Sequence, residues 1–187
     1  MSDKIELIQN SAFRLFTIRG FHNTPTSLIA KEAGVANGTL FNYFKTKDVL
    51  INHLYLTCKS SLIAAIQKDS DPEKDIKEQM RVIWENCIGW AEEYPEQYQF
   101  FKQYSNSPFI QNETKEEGRQ KFTPFMLLLE KGVSDGVLKK MSAEFISAVM
   151  IGIASATIEC LKSNLEAKDN QSFIEDAFLM LWDSIKA

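Results

Sequence analysis

The chain has 187 residues, of which 44% are hydrophobic, enough for a folded core and too many for a disordered chain. Its formal charge is −4, and Cys58, Cys87 and Cys160 are far apart with no CxxC spacing, which excludes a zinc site or a disulfide framework of the usual kinds. The first ten residues, MSDKIELIQN, lack a basic stretch followed by an apolar core, so no signal peptide is expected. The longest apolar run, Phe145 to Ile158, is short for a membrane span and is broken by Ser147, Gly152 and Ser155, which predicts a soluble, cytoplasmic protein.

Helical periodicity dominates and no run alternates as a strand does, so the expected fold class is all-α with about nine helices. The first spans about Asp3 to Arg19, with Ile5, Ile8, Ala12, Leu15 and Phe16 on one stripe and Gly20 as its stop. Thr24-Pro25 reads as an N-cap and a first-turn proline, opening a short helix that ends at Gly34. A second short helix covers about Asn37 to Phe44. Thr46 caps the next one, with Asp48 in its first turn, and that helix runs to about Lys68.

Asp71-Pro72 reads as the start of a helix with the stripe Ile76, Met80, Ile83, Trp84, Cys87, Ile88 and Ala91, and Tyr94-Pro95 breaks it. A short aromatic helix follows over Glu96 to Tyr104, then a loop at Ser105 to Pro108. Glu113 to Ser134 is helical, kinked or restarted at Thr123-Pro124. Ser142 caps a long helix to about Asn164, and Gln171 to Ile185 forms the last.

The stretch TPTSLIAKEAGVANGTLFNYFKTK, from Thr24 to Lys47, carries the most functional information. Two short helices around a Gly-containing turn are the requirement of a helix-turn-helix. Ile29 and Ala30 would face Val35 and Leu40 across the turn, Ala30 being small enough for close approach. The second helix then projects Asn37, Thr39, Asn42 and Tyr43, which suit base edges and phosphates in a major groove. Lys47 and the free N–H groups beside it suit a phosphate. Thr24 and Ser27 are phosphate candidates too, although Thr24 could serve only as a cap. Charge supports this end as the one that meets DNA: residues 1–60 hold seven Lys/Arg against four acids, a net of +3, while the remainder is net −7.

From Phe13 to Leu50 the chain resembles the DNA-binding domain of the tetracycline-repressor (TetR) family. The resemblance lies in Phe16, Gly20-Phe21, Ile29-Ala30, Ala33-Gly34-Val35, Gly38-Thr39-Leu40-Phe41, Phe44 and Lys45-Thr46-Lys47-Asp48 at linked spacings. It departs at Ala36, where a capping Ser is usual, at Phe41, where Tyr is common, and at Leu28, where a polar residue is usual. Either Asn37 takes over the capping role or the recognition helix tightens on DNA.

The resemblance implies a DNA-binding domain over residues 1–48, with its helix-turn-helix at about 24–44. It implies a ligand-binding and dimerisation domain over 49–187, joined to the first by the helix 47–68. The DNA contacts it implies are Thr24, Ser27, Asn37, Gly38, Thr39, Phe41, Asn42, Tyr43 and Lys47. Residues 72–187 are acidic and aromatic-rich; most of these rings are core, and an effector pocket among the middle helices would draw on Trp84, Cys87, Phe101, Phe122 and Met126. No buried cationic cluster is visible, so a small, mostly apolar effector is expected.

The last two helices are apolar nearly all round and need cover. A second copy packed two-fold against Phe145, Val149, Gly152, Ala156, Phe178 and Trp182 would supply it. The expected function is thus a sequence-specific, double-stranded-DNA-binding regulator, a homodimeric repressor released from a palindromic operator by its effector. The alternatives are an activator on the same fold and a small-molecule binding protein without DNA function. His22 and His53 are too few and too separated for metal binding or catalysis, and no cofactor, metal or enzymatic site is expected.

Overall fold

A computed structural model describes residues 2–163 and 170–187. Ten helices occur among them: α1 (Ser2–Arg19), α2 (Thr26–Glu32), α3 (Asn37–Tyr43), α4 (Lys47–Ile66), α5 (Ile76–Glu93), α6 (Pro95–Tyr104), α7 (Asn112–Gln120), α8 (Thr123–Ser134), α9 (Ala143–Lys162) and α10 (Asn170–Ile185). The only β pairing among the described residues is an isolated bridge between Leu138 and Lys186. The all-α expectation holds, with one more helix than the periodicity suggested, because the chain restarts at Thr123-Pro124 and separates α7 from α8. The expected end of the long penultimate helix, at Asn164, lies outside the described residues.

Side-chain caps explain several of the helix starts. Thr46 Oγ1 accepts the Val49 N–H at 3.1 Å and caps α4, and Ser142 Oγ accepts the Phe145 N–H at 3.2 Å and caps α9. The start of α5 differs from expectation. Asp71 Oδ1 accepts the Glu73 N–H in a tight turn, while Asp75 Oδ1 takes the Glu78 N–H at 2.8 Å. Asp75 stands immediately before the buried stripe that begins at Ile76, so the helix starts there and not at Pro72.

The chain forms two compact units, drawn on other lines than the functional division expected at residue 48. One comprises Met1–Ser61 with Tyr94–Gln120, the other Leu62–Glu93 with Lys121–Ala187. In the first, α6 packs on α1: Phe13 meets Phe100 edge-on at 5.1 Å, and the buried Tyr104 hydroxyl donates to the Phe16 carbonyl at 2.9 Å. In the second, α5, α8, α9 and α10 enclose Met80, Trp84, Ile88, Leu129, Ile146, Ile158, Phe178 and Leu181. Arg81 of α5 pairs with Glu175 of α10 beside this core.

By length and composition α4 and α9 are each long and apolar enough to cross a membrane. The run around Phe145 to Ile158 is therefore longer than the sequence suggested, since the small polar residues inside it do not interrupt the helix. α9 packs one stripe, including Ile146, Met150, Ala154 and Ile158, into its unit.

Candidate nucleic-acid interface

The turn between α2 and α3 is built by backbone hydrogen bonding. Ala33 ends α2, Gly34 takes φ +66°, the Gly34 N–H bonds the Lys31 carbonyl at 3.2 Å and the Val35 N–H bonds the Ala30 carbonyl at 3.0 Å. This is a Schellman closure, and glycine tolerates its left-handed conformation without the steric cost another residue bears. Val35 is thereby folded back beside Ala30. Ile29, Ala30 and Leu40 are buried, as the pairing of the two short helices requires.

α3 packs through Leu40, its one buried residue. Asn37, Gly38, Phe41 and Asn42 are exposed, and Thr39 and Tyr43 are half-buried at the edges of the same surface. Ala36 is the N-cap, extended at ψ 145° with no side-chain acceptor, and Asn37 stands inside the helix without replacing it. The Thr39 and Leu40 N–H groups turn instead to the Ala36 carbonyl. An added Cβ at Gly38 meets nothing within 4 Å, so the fold itself does not demand glycine there.

Thr24 requires a correction. It is fully buried, and its hydroxyl donates to the Gly20 carbonyl at 2.8 Å and the Leu15 carbonyl at 3.2 Å. It neither caps α2, whose N-cap is Pro25, nor reaches solvent for a phosphate. The hydroxyl instead ties the approach to α2 onto the end of α1. Thr24→Val, which leaves those carbonyls without this donor, is expected to cost about 1–3 kcal/mol of stability. The salt dependence of DNA binding should stay as in the wild type. A fall in that slope without loss of stability would restore Thr24 as a phosphate contact. Ser27 is exposed on α2.

Lys47 begins α4, and its Nζ lies 4.1 Å from the centroid of Phe21. Burial pushes its pKa down and the adjacent Asp48 carboxylate pushes it up, burial being the larger influence. Phe21 stacks in turn on Phe109 at 4.2 Å. Neither ring figured among the expected functional residues. Phe21 was marked by the Gly20-Phe21 pair, whereas Phe109 comes from a distant loop with no local signal. His53 lies with its Nε2 2.7 Å from the Gln9 side chain and its ring 5.1 Å from Phe44. No group of three metal-capable side chains occurs among the described residues.

The five pocket candidates are spread over both compact units. Phe101 belongs to the first compact unit, where it stacks on Tyr55 at 5.8 Å. Trp84 is core: it is 2% exposed and its indole N–H donates to the Ile174 carbonyl at 3.1 Å. Cys87 is free and half-buried, and burial raises its thiol pKa to about 11. Met126 is half-buried on α8. Phe122 lines a cavity of about 110 Å³ in the second unit, with Ile63, Ile66, Ile83, Phe125 and Leu128 as apolar neighbours and Gln67, Ser70, Gln79 and Lys121 as polar ones.

The dimerisation candidates divide more evenly. Phe145, Gly152 and Ala156 are exposed along one face of α9, with Val149 half-buried beside them. Phe178 is 1% exposed and sits in the core, because α10 turns Ile174, Ala177, Phe178 and Leu181 inward on a single stripe. Trp182 is half-buried with the Lys77 ammonium 5.7 Å from its ring centroid. Ile151 of α9 and Met180 of α10, 67% and 69% exposed, add further apolar surface.

Residues 8–54 match the family model described as bacterial regulatory proteins, tetR family, and residues 75–186 match a tetracyclin repressor-like C-terminal domain. An HTH-type transcriptional regulator of Haemophilus influenzae is 35% identical over 107 residues, 57% of this chain and 57% of that protein. The fatty acid metabolism regulator protein of Bacillus subtilis is 30% identical over 76 residues, 41% of this chain and 39% of its own length. The match thus spans less than two thirds of either relative. Among solved structures, a TetR-family transcription regulator from Shewanella sp. PV-4 superposes with a TM-score of 0.88 at 28% identity, covering 98% of each chain. Bacillus subtilis FadR in complex with stearoyl-CoA superposes with a TM-score of 0.74 at 19% identity, over 95% of this chain and 97% of its own, a likeness of fold.

Proposed function

Because the chain belongs to the TetR family of helix-turn-helix transcriptional regulators, which are not enzymes, we propose that it binds a palindromic operator as a homodimer and represses transcription until a small, mostly apolar effector releases it. The observation that carries this reading is the outer surface of α3. The helix packs through Leu40 and leaves Asn37, Thr39, Asn42 and Tyr43 available to base edges. Gly38 lets backbone approach a phosphate, and Ser27, Phe41 and Lys47 flank that contact. Two such helices in a two-fold dimer would read half-sites ~34–36 Å apart.

The cavity supports the effector half of the proposal. Its volume of about 110 Å³ and its wall of isoleucine, leucine and phenylalanine suit an apolar group of a few heavy atoms. A long acyl chain, such as the one FadR holds, would require it to widen. Ile63 and Ile66 of that wall belong to α4, the helix whose first residue is Lys47. An effector that displaced them would act on the helix that carries a DNA contact, and a coupling of ~1–3 kcal/mol is typical of such switches.

The test is selection of bound sequences from a randomised duplex pool, run beside the Thr39→Ala/Tyr43→Ala variant. Wild type should enrich a palindrome that the variant, folded to the same melting temperature, fails to enrich. No enrichment by wild type would defeat the operator reading and leave a ligand-binding protein on this fold. Enrichment by both proteins would move base reading away from Thr39 and Tyr43.

A further inference from the structure

Phe109 lies in the loop between α6 and α7 and is fixed from two sides. Its carbonyl accepts from Asn52 Nδ2 at 3.0 Å, and Asn52 Oδ1 accepts from the Gln111 N–H at 2.8 Å. Asn52 is a buried residue of α4, and its Nδ2 also reaches the Asp48 carbonyl at 2.8 Å. The neighbouring Ile110 is buried in the same core. The loop is therefore fastened to the first turns of α4 through one amide side chain.

From that anchorage the Phe109 ring lies over Phe21, with centroids 4.2 Å apart and planes 22° apart. The Phe21 ring also stacks on Phe16 at 5.7 Å. Lys47 Nζ sits 4.1 Å from the Phe21 centroid, within cation–π range. A lysine has a long, mobile stem, and holding it before DNA arrives removes ordering that binding would otherwise impose. Without Phe109, one face of Phe21 loses its support and the ring can turn away from the ammonium.

We propose that Phe109 is a positioning residue for the DNA-backbone contact of Lys47, its stack with Phe21 holding the lysine ammonium in place at the start of α4. The proposal rests on the reading of α3 and the start of α4 as the DNA-binding surface. It gives a loop some sixty residues beyond Lys47 in the chain a hand in phosphate binding, exerted through Phe21 and Lys47.

The experiment measures binding of the full-length protein to a short mixed-sequence duplex across a range of salt. Wild type, Phe109→Ala, Phe109→Trp, Lys47→Ala and the Phe109→Ala/Lys47→Ala double variant are compared. Each phosphate neutralised contributes ~0.9 to the slope of log affinity against log salt. Phe109→Ala should lower the slope and weaken binding by roughly threefold to tenfold, an order set by a cation–π contact. Phe109→Trp should restore both, and Phe109→Ala should add nothing in the Lys47→Ala background.

A second readout needs no DNA. The Lys47 ε-methylene protons, shifted upfield by the Phe21 ring in wild type, should move toward the free-lysine position in Phe109→Ala. An unchanged salt slope in a folded Phe109→Ala protein, additive effects of the two substitutions, or an unmoved Lys47 resonance would each overturn the proposal. Failure of wild type to bind any duplex would defeat the DNA reading, and with it the phosphate role assigned here. The Lys47 resonance would then still report whether Phe109 holds that side chain.

Discussion

Replacing Trp84 with alanine should cost about 3–5 kcal/mol of stability and lower the melting temperature by roughly 10 °C. The side chain is 2% exposed, so the substitution opens a cavity the size of an indole inside the second compact unit. It also removes the only N–H that the ring possesses, which donates to the Ile174 carbonyl on α10 at 3.1 Å. Phe178, 6.4 Å from the indole and under the Arg81 guanidinium at 4.5 Å, loses a packing surface. The damage therefore falls on the α5–α10 contact and not on one side chain. Thermal and denaturant melts of the variant check this. An unchanged melting temperature would mean that the indole occupies space the core can spare, and Trp84 would return as an effector residue. The cavity-lining Phe122, half-buried among groups that already leave a void, is the better probe of effector binding.

The contrast between Trp84 and Phe122 shows how far the sequence could be followed. Periodicity tells which stripe of α5 is inward, and Trp84 lies on it with Met80 and Ile88. It does not tell whether an inward side chain meets another side chain or an empty space, because that depends on what several other helices place opposite. Features settled within a few residues were legible: the caps at Thr46 and Ser142, the break at Pro95 and the turn at Gly34. So was the alternation of buried Leu40 with exposed neighbours in α3. Where one group has two local uses, sequence cannot choose between them. The Thr24 hydroxyl could cap forward or bond backward, and it bonds backward to Leu15 and Gly20. Contacts across long separations were not legible at all. The Tyr104–Phe16 hydrogen bond spans 88 positions and seats α6 against α1, in a unit that the residue order does not announce.

Gly152→Arg should dissociate the proposed dimer while leaving the protomer folded. An added Cβ at Gly152 meets nothing within 4 Å, so the substitution finds open space within the chain. Replacing a glycine inside α9 also favours the helix, by up to ~1 kcal/mol. Yet Gly152 lies in the middle of the exposed face formed with Phe145, Ala148 and Ala156. There a two-fold partner would meet two guanidinium groups, each to be buried without a counter-charge at a cost of several kcal/mol. Mass measured in solution should fall to that of one chain. Affinity for the selected palindrome should fall by ~10²-fold or more, because two half-sites would no longer be bound as one linked event. The same substitution at Gly89, an exposed glycine of α5 with equally open surroundings, serves as the control and should change neither quantity. A Gly152→Arg protein that remained dimeric would move the interface off this face of α9. One that became monomeric yet bound the palindrome as tightly as wild type would mean that operator reading does not depend on the dimer.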